Sequence, residues 1–118
     1  MLRVCVGLLV SACISPAWAW GALAIDSNHG SRHGVAYDYA DRTQAQQAAL
    51  AACGVGCTVV VTFQRGCAAY AVDRSRGSSI YGWAAEELRA PAHNAALVNC
   101  AKAGGAACGI RVWGCSTQ

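Results

Sequence analysis

Asp26 and Asp73, His29, His33 and His93, and the adjoining Glu86 and Glu87 are the side chains of this 118-residue chain best equipped to move a proton or hold a metal. Two carboxylates can divide acid and base roles when their surroundings push their pKa values apart. Asp26 and Asp73, however, each close an apolar stretch and precede turn-forming residues, where an aspartate ordinarily bonds the backbone two residues on. Structural Asx turns are therefore expected of both. His29 and His33 fall in a glycine-containing loop, not on a helix that would align them, and no cysteine is spare to complete a ligand set. His93 is expected on a helix surface. Glu86 and Glu87 are neighbours in an extended segment and face opposite ways, which unfits them as an acid–base pair. No Gly-x-Ser-x-Gly elbow is present to present a nucleophilic serine. No catalytic residue, cofactor or metal site is assigned on these grounds.

The eight cysteines carry a different chemistry. Residues 1–19 read as an export leader: Arg3 supplies the positive start, residues 4–14 are apolar, and Ala17 and Ala19 flank Trp18 in a small-x-small cleavage pattern. That apolar run is too short to cross a bilayer, which takes roughly 20 residues. A rival reading takes Val10-Ser11-Ala12-Cys13 as a lipoprotein box, tethering the domain through a lipidated Cys13. Cleavage before Trp20 would remove Cys5 and Cys13 and leave Cys53, Cys57, Cys67, Cys100, Cys108 and Cys115. An even set in a small exported chain is the mark of a disulfide framework, and it leaves no thiolate free to act as a nucleophile. Six cysteines allow about 15 pairings. The preferred set joins Cys53 to Cys57 and Cys100 to Cys108, tying each helix end to the next strand, and closes the second half with Cys67 to Cys115.

The elements that position these groups come in duplicate. At a constant offset of 47, Ile25-Asp26 matches Val72-Asp73, Gly30 matches Gly77, Arg42 matches Arg89, Ala48-Ala49-Leu50 matches Ala95-Ala96-Leu97 and Cys53 matches Cys100, with no gap. After a four-residue insertion, Cys57 and the strand that follows it match Cys108 and its strand. Self-similarity of this kind points to a repeated supersecondary unit. Each unit reads as a strand (residues 20–25 or 67–72), a turn with glycine at 30 or 77, a second strand (35–39 or 80–84), a helix (44–52 or 91–100) and a last strand (58–63 or 109–113). Thr43 and Gln46 have capping-box spacing, making Gln44 the first helical residue; its counterpart Pro91 suits that position, although Ala90 then stands where a cap is wanted. Ala45, Ala48, Ala49 and Ala52, and then Ala92, Ala95 and Ala96, form small-residue stripes that let a helix lie close on a sheet, with Leu50 and Leu97 as the main apolar plugs. Gly54 and Gly56, and Gly104 and Gly105, end the helices.

A unit of under 50 residues has too much surface for its volume to stand alone. The fold class expected is α+β, with residues 20–118 as one duplicated domain (first repeat 20–66, second repeat 67–118) whose strand-strand-helix-strand units share one core and are stapled by disulfides. The units are expected to join in one sheet or to pack face to face.

The formal charge of +3 falls by one with the leader, and the excess sits in the second repeat as Arg74, Arg76, Arg89, Lys102 and Arg111. A nucleic-acid binder carries a dense basic stripe; scattered cations do not make one, and no nucleic-acid partner is expected. Tyr39 and Trp113 lie in strands beside charged residues, and exposed aromatics with arginine are the composition of interface hot spots. Trp113, Arg111, Tyr39, Arg74 and Arg76 are accordingly the candidate binding surface.

Trp20-Gly21-Ala22-Leu23-Ala24-Ile25-Asp26, Gly34-Val35-Ala36-Tyr37-Asp38-Tyr39, the Ala-Ala-Leu-x-x-Cys motifs ending at Cys53 and Cys100, the strand opened by Cys57, and Tyr81-Gly82-Trp83 together resemble a bacterial secreted domain of unknown function, DUF4189. The likeness runs from Trp20 to Cys115, departing at Ala90-Pro91 and in the alanine-rich loop before Cys108. It implies export and a cysteine-containing domain and supplies no catalytic residues. The function expected is therefore an exported, non-enzymatic binding module, periplasmic or secreted, with a protein or envelope partner; an inhibitor or immunity-type role suits a rigid stapled domain, because rigidity lowers the entropy cost of binding. The alternatives are a small hydrolase using Asp26, Asp73 or a histidine, and a structural or stress protein of the envelope.

Overall fold

The computed structural model describes residues 19–26 and 31–116. Residues 1–18, which hold most of the expected export leader and Cys13 of the lipoprotein box, and residues 27–30, which include His29 and Gly30, lie outside the described residues. The elements run β1 (Trp20–Asp26), β2 (His33–Tyr39), α1 (Arg42–Cys53), β3 (Cys57–Gln64), β4 (Cys67–Asp73), β5 (Tyr81–Glu86), α2 (Arg89–Lys102) and β6 (Cys108–Cys115), an α+β fold in which one strand-strand-helix-strand unit occurs twice. All strand pairs are antiparallel and form two three-stranded sheets, ordered β2-β1-β3 and β5-β4-β6.

Alternation along the central strands explains why the sheets stack. In β1, Ala22 and Ala24 face α1 while Leu23 and Ile25 face the other sheet; in β4, Cys67, Ala69 and Ala71 face α2 while Ala68, Tyr70 and Val72 face back. Side chains one residue apart on a strand point to opposite faces, so each central strand is buried on both. The result is four layers, helix, sheet, sheet, helix, with a shared centre of Leu23, Ile25, Phe63, Ala68, Tyr70 and Val72. Of the two arrangements expected, the units take the face-to-face one.

The helices approach closely because small residues meet. Ala45, Ala49 and Cys53 of α1, and Ala92, Ala96 and Cys100 of α2, are the buried positions of each helix, at i, i+4 and i+8. A Cβ on Gly34 would lie 2.6 Å from the Cys53 amide nitrogen, and one on Gly82 would lie 2.7 Å from the Asn99 carbonyl carbon, so each helix backbone rests on a glycine of the second strand. Leu50 and Leu97 are only partly buried and pack at the margins. The expectation that they plug the core is corrected: at alanine distance there is no room beneath the helix for a leucine. Disulfides join Cys53–Cys57 and Cys100–Cys108 at the helix ends, and Cys67–Cys115 across the β4–β6 ladder.

Both helices start earlier than the sequence suggested. The cap of α1 is Asp41, whose Oδ1 accepts from the Gln44 amide at 2.8 Å; Thr43 lies inside the first turn. An aspartate three residues before the free amide has the reach the threonine lacks. The counterpart cap of α2 is Leu88, which makes no side-chain bond, and Pro91 occupies the third helical position rather than the first. Proline there has no amide to satisfy, so the acceptor and the donor of the first repeat's cap are both missing in the second.

The ungapped offset conceals two compensating changes. Ala24 pairs with Gly34 and Ala71 with Gly82, so the second strands correspond at an offset of 48, whereas Trp20 pairs with Tyr39 and Cys67 with Glu86, restoring 47. Relative to the second repeat, the first has a β1–β2 loop one residue shorter and a bulge in β2, where Asp38 takes φ 63°. Ser116, buried and unmarked by any sequence signal, accepts at Oγ from the Asp38 amide at 3.0 Å and donates its own amide to Gly66 O at 2.7 Å. The two halves are latched there.

Candidate functional site

The sandwich has one side where the edge strands β2 and β6 adjoin. The Tyr37 ring lies against Gly114, whose absent side chain makes the space: a Cβ there would stand 2.6 Å from Tyr37 Cδ2. Val35, Ala36, Tyr37, Tyr39, Ala48, Ala52, Val112 and Trp113 line a groove of about 460 Å³ along this seam. Tyr37, Tyr39 and Trp113 are 47%, 37% and 41% exposed, enough of each ring to cover a partner. Trp113 is fixed from α2: the Arg89 guanidinium sits over its ring at 4.9 Å and the His93 ring meets it edge-on at 5.4 Å. Arg42, the counterpart of Arg89, sits over Trp20 at 5.4 Å. Each helix thus begins with an arginine resting on a tryptophan of its own sheet, a contact worth about 0.5–1 kcal/mol at an exposed site.

A second concavity, about 370 Å³, opens at the far end of β4 and is lined by Ser31, Val72, Asp73, Arg74, Gly77, Ser78, Ser79, Ile80 and Arg111. Its carboxylate is held by several donors. Asp73 Oδ1 accepts from the Ser75 amide (3.2 Å), the Ser75 hydroxyl (2.9 Å) and the Ala107 amide (2.9 Å). Bonding from the Ser78 hydroxyl, then from Ala107 and Ser75, holds its carboxyl well below the usual carboxylate range. Arg74 donates to Ile110 O at 3.0 Å and lies over Gly109. Arg111 sits at a β6 bulge, between Val112, which pairs with Tyr70, and Ile110, which pairs with Ala71.

The candidate binding residues named from the sequence are divided between these places. Tyr39 and Trp113 meet in the groove, Arg74 and Arg111 meet in the recess, and Arg76 is exposed on the β4–β5 loop and lines neither. Tyr37 belongs to the groove and Arg89 holds its tryptophan, and both were missed; Tyr37 follows two small residues, Gly34 and Ala36, in its strand, a signal that reads equally as core. Asp73 makes the Asx turn expected of it, and Asp26 has Arg32 Nε at 3.9 Å from Oδ2. Burial, and then the charge of Arg111, lower the His33 pKa, so that imidazole is neutral at neutral pH. Burial, and then Tyr81, push the Tyr70 hydroxyl up to about 12. His93 is not a plain surface residue: its Nε2 is shielded and makes no hydrogen bond among the described residues, because the ring is tucked against Trp113. Glu86 and Glu87 are exposed at the end of β5.

Among the described residues, no three His, Cys, Asp or Glu side chains form a group that could hold a metal ion, and no helix is long and apolar enough to cross a membrane. A family model described as "Domain of unknown function (DUF4189)" matches residues 20–115. No curated protein and no solved structure matches the chain.

Proposed function

Because the chain belongs to the DUF4189 family, whose description assigns no activity, function has to be read from its surface, and we propose that it is an exported, non-enzymatic binding module that holds a protein partner in the seam groove. The observation that carries this reading is the convergence of three partly exposed aromatic rings, Tyr37, Tyr39 and Trp113, on one groove with Arg89 over the tryptophan. Binding energy at protein interfaces concentrates on such tyrosine, tryptophan and arginine clusters, set in a scaffold that excludes water around them. Three disulfides and the alanine-tight layers keep that scaffold rigid, which reduces the ordering cost of association. The same disulfides favour an oxidising compartment, hence a periplasmic or secreted location after cleavage before Trp20.

A photo-crosslinking side chain placed at Tyr37 in the native cells tests the reading. One saturable protein adduct is expected, with affinity for the purified partner falling about tenfold or more in Trp113→Ala or Tyr39→Ala at unchanged melting temperature. Absence of a saturable adduct, or an affinity indifferent to both substitutions, rejects it. Mass spectrometry of the unreduced native protein checks export separately: the expected N-terminus is Trp20, and an acylated Cys13 would replace the free form by a tethered one.

A further inference from the structure

We propose that the recess at the end of β4 is a second binding site, one that takes an oxyanionic group, phosphoryl or carboxylate, of a small molecule between Arg74 and Arg111. Comparison of the halves supports it independently of the seam groove. The β3 bulge, between Val61 opposite Leu23 and Val59 opposite Ala24, corresponds to the β6 bulge, so Val60 is the counterpart of Arg111. Valine there packs into the shared centre; arginine in its place brings a cation to the mouth of a recess. At the constant offset Arg74 also has no cationic counterpart, since Ser27 occupies its place. Both cations are therefore peculiar to the second repeat, and the bulge itself forms in the first repeat without a charge.

Among the described residues, the recess is lined by two cations and one carboxylate. Asp73 is the one carboxylate among the described residues of the lining, and Ser75, Ser78 and Ala107 already bond it. Arg111 makes no ion pair among the described residues. Arg74 is held in place by its bond to Ile110 O and by the bare backbone of Gly109, where a Cβ would come within 2.8 Å of the guanidinium carbon. A guanidinium fixed in this way loses little freedom on meeting a ligand, and its planar donors match a carboxylate or phosphate. Ser31 and Ser79 add hydroxyls to the same wall. The volume, about 370 Å³, admits a small organic ion rather than a bare anion alone.

The test is an amide and arginine side-chain NMR titration of the whole exported domain with inorganic phosphate and, separately, with glutarate, at ionic strength matched by sodium chloride. Saturable shifts at Gly77, Ser78, Ser79 and Arg111 are expected with at least one of the two; phosphate alone identifies a phosphoryl ligand, glutarate alone a carboxylate. In Arg111→Val, which installs the residue the first repeat tolerates at this bulge, the affinity should fall about tenfold while the fold persists. Arg111→Lys should recover part of the loss. No saturable shift with either anion, or an affinity unchanged in Arg111→Val, overturns the proposal. Neither result bears on Trp113, so the groove and the recess stand or fall separately.

Discussion

Where β1 and β3 end in the first half, Trp20 stands opposite Gln64; where β4 and β6 end in the second, the same two places hold the disulfide-linked Cys67 and Cys115. One half closes its ladder with a tryptophan under an arginine, the other with a covalent bond. Equivalent contrasts recur at the rim: Asp41 against Leu88 at the helix starts, Val60 against Arg111 at the bulges, a bulged β2 against a regular β5. The helix–sheet layers, by contrast, repeat closely, with alanine on glycine beneath both helices, whereas in the shared centre Leu23 answers to Tyr70 and Phe63 to Gly114. Backbone contact beneath the helices tolerates almost no change of volume, whereas ladder ends and loops can be sealed in several ways and two facing sheets can exchange volume between them, so the halves diverge there.

The largest expected effect breaks the contrast at the ladder ends. Replacing both Cys67 and Cys115 by alanine should cost about 4 kcal/mol, against about 2 kcal/mol for Cys53 and Cys57, because the sequence separations closed are 48 and 4. Urea unfolding of the two double variants measures the difference, and equal losses would show that loop length is not what distinguishes the bridges. Next, Gly34→Ala and Gly82→Ala should each cost about 1–3 kcal/mol, and nearly the same amount, since in both the new methyl meets helix backbone that cannot move aside. A marked inequality in melting temperature between them would mean that the interiors are less alike than their geometry.

Acid should separate the halves further. The carboxyl of Asp73 titrates below its unfolded value, so its stabilising contribution is complete above the ordinary carboxylate range and is lost as pH falls below that range. Asp73→Asn should therefore flatten the fall of stability on acidification, seen as thermal midpoints recorded at descending pH; an acid limb identical to that of the parent would refute the assignment. The smallest effect lies at the helix starts. Asp41→Ala should cost about 1 kcal/mol, while Leu88→Asp should gain almost nothing, because Pro91 offers no amide to cap. A gain from Leu88→Asp equal to the loss from Asp41→Ala would mean that another amide takes the bond.

The elements, their duplication and the small-residue stripes were legible because periodicity and composition are local properties of the chain. The bridges at the helix ends were legible for the same reason, each joining cysteines a few residues apart across a glycine-containing turn. Other features depend on what lies across the fold. Thr43 and Gln46 satisfy a capping pattern in sequence, yet Asp41, two residues earlier, reaches the amide. Ser116 carries no local signal and is fixed by Gly66 and Asp38, both distant along the chain. The candidate surface was half legible: residue type pointed to Trp113, Tyr39, Arg74 and Arg111, but only the stacking of two sheets separates the aromatics from the arginines. Tyr37 was hidden because its place depends on the emptiness of Gly114.

The matched shortening and lengthening around β2 has a consequence for how such a gene can change. A one-residue slip reverses which face of a strand each side chain takes; the shorter loop keeps Gly34 opposite Ala24, as Gly82 is opposite Ala71, but without a bulge it would bring Asp38 rather than Tyr39 opposite Trp20. The bulge at Asp38 takes up the extra residue and sets Tyr39 opposite Trp20. Either change by itself leaves one end of β2 out of register with β1. Recombination between the two halves, in nature or at the bench, must therefore exchange the loop and the bulge as a single cassette.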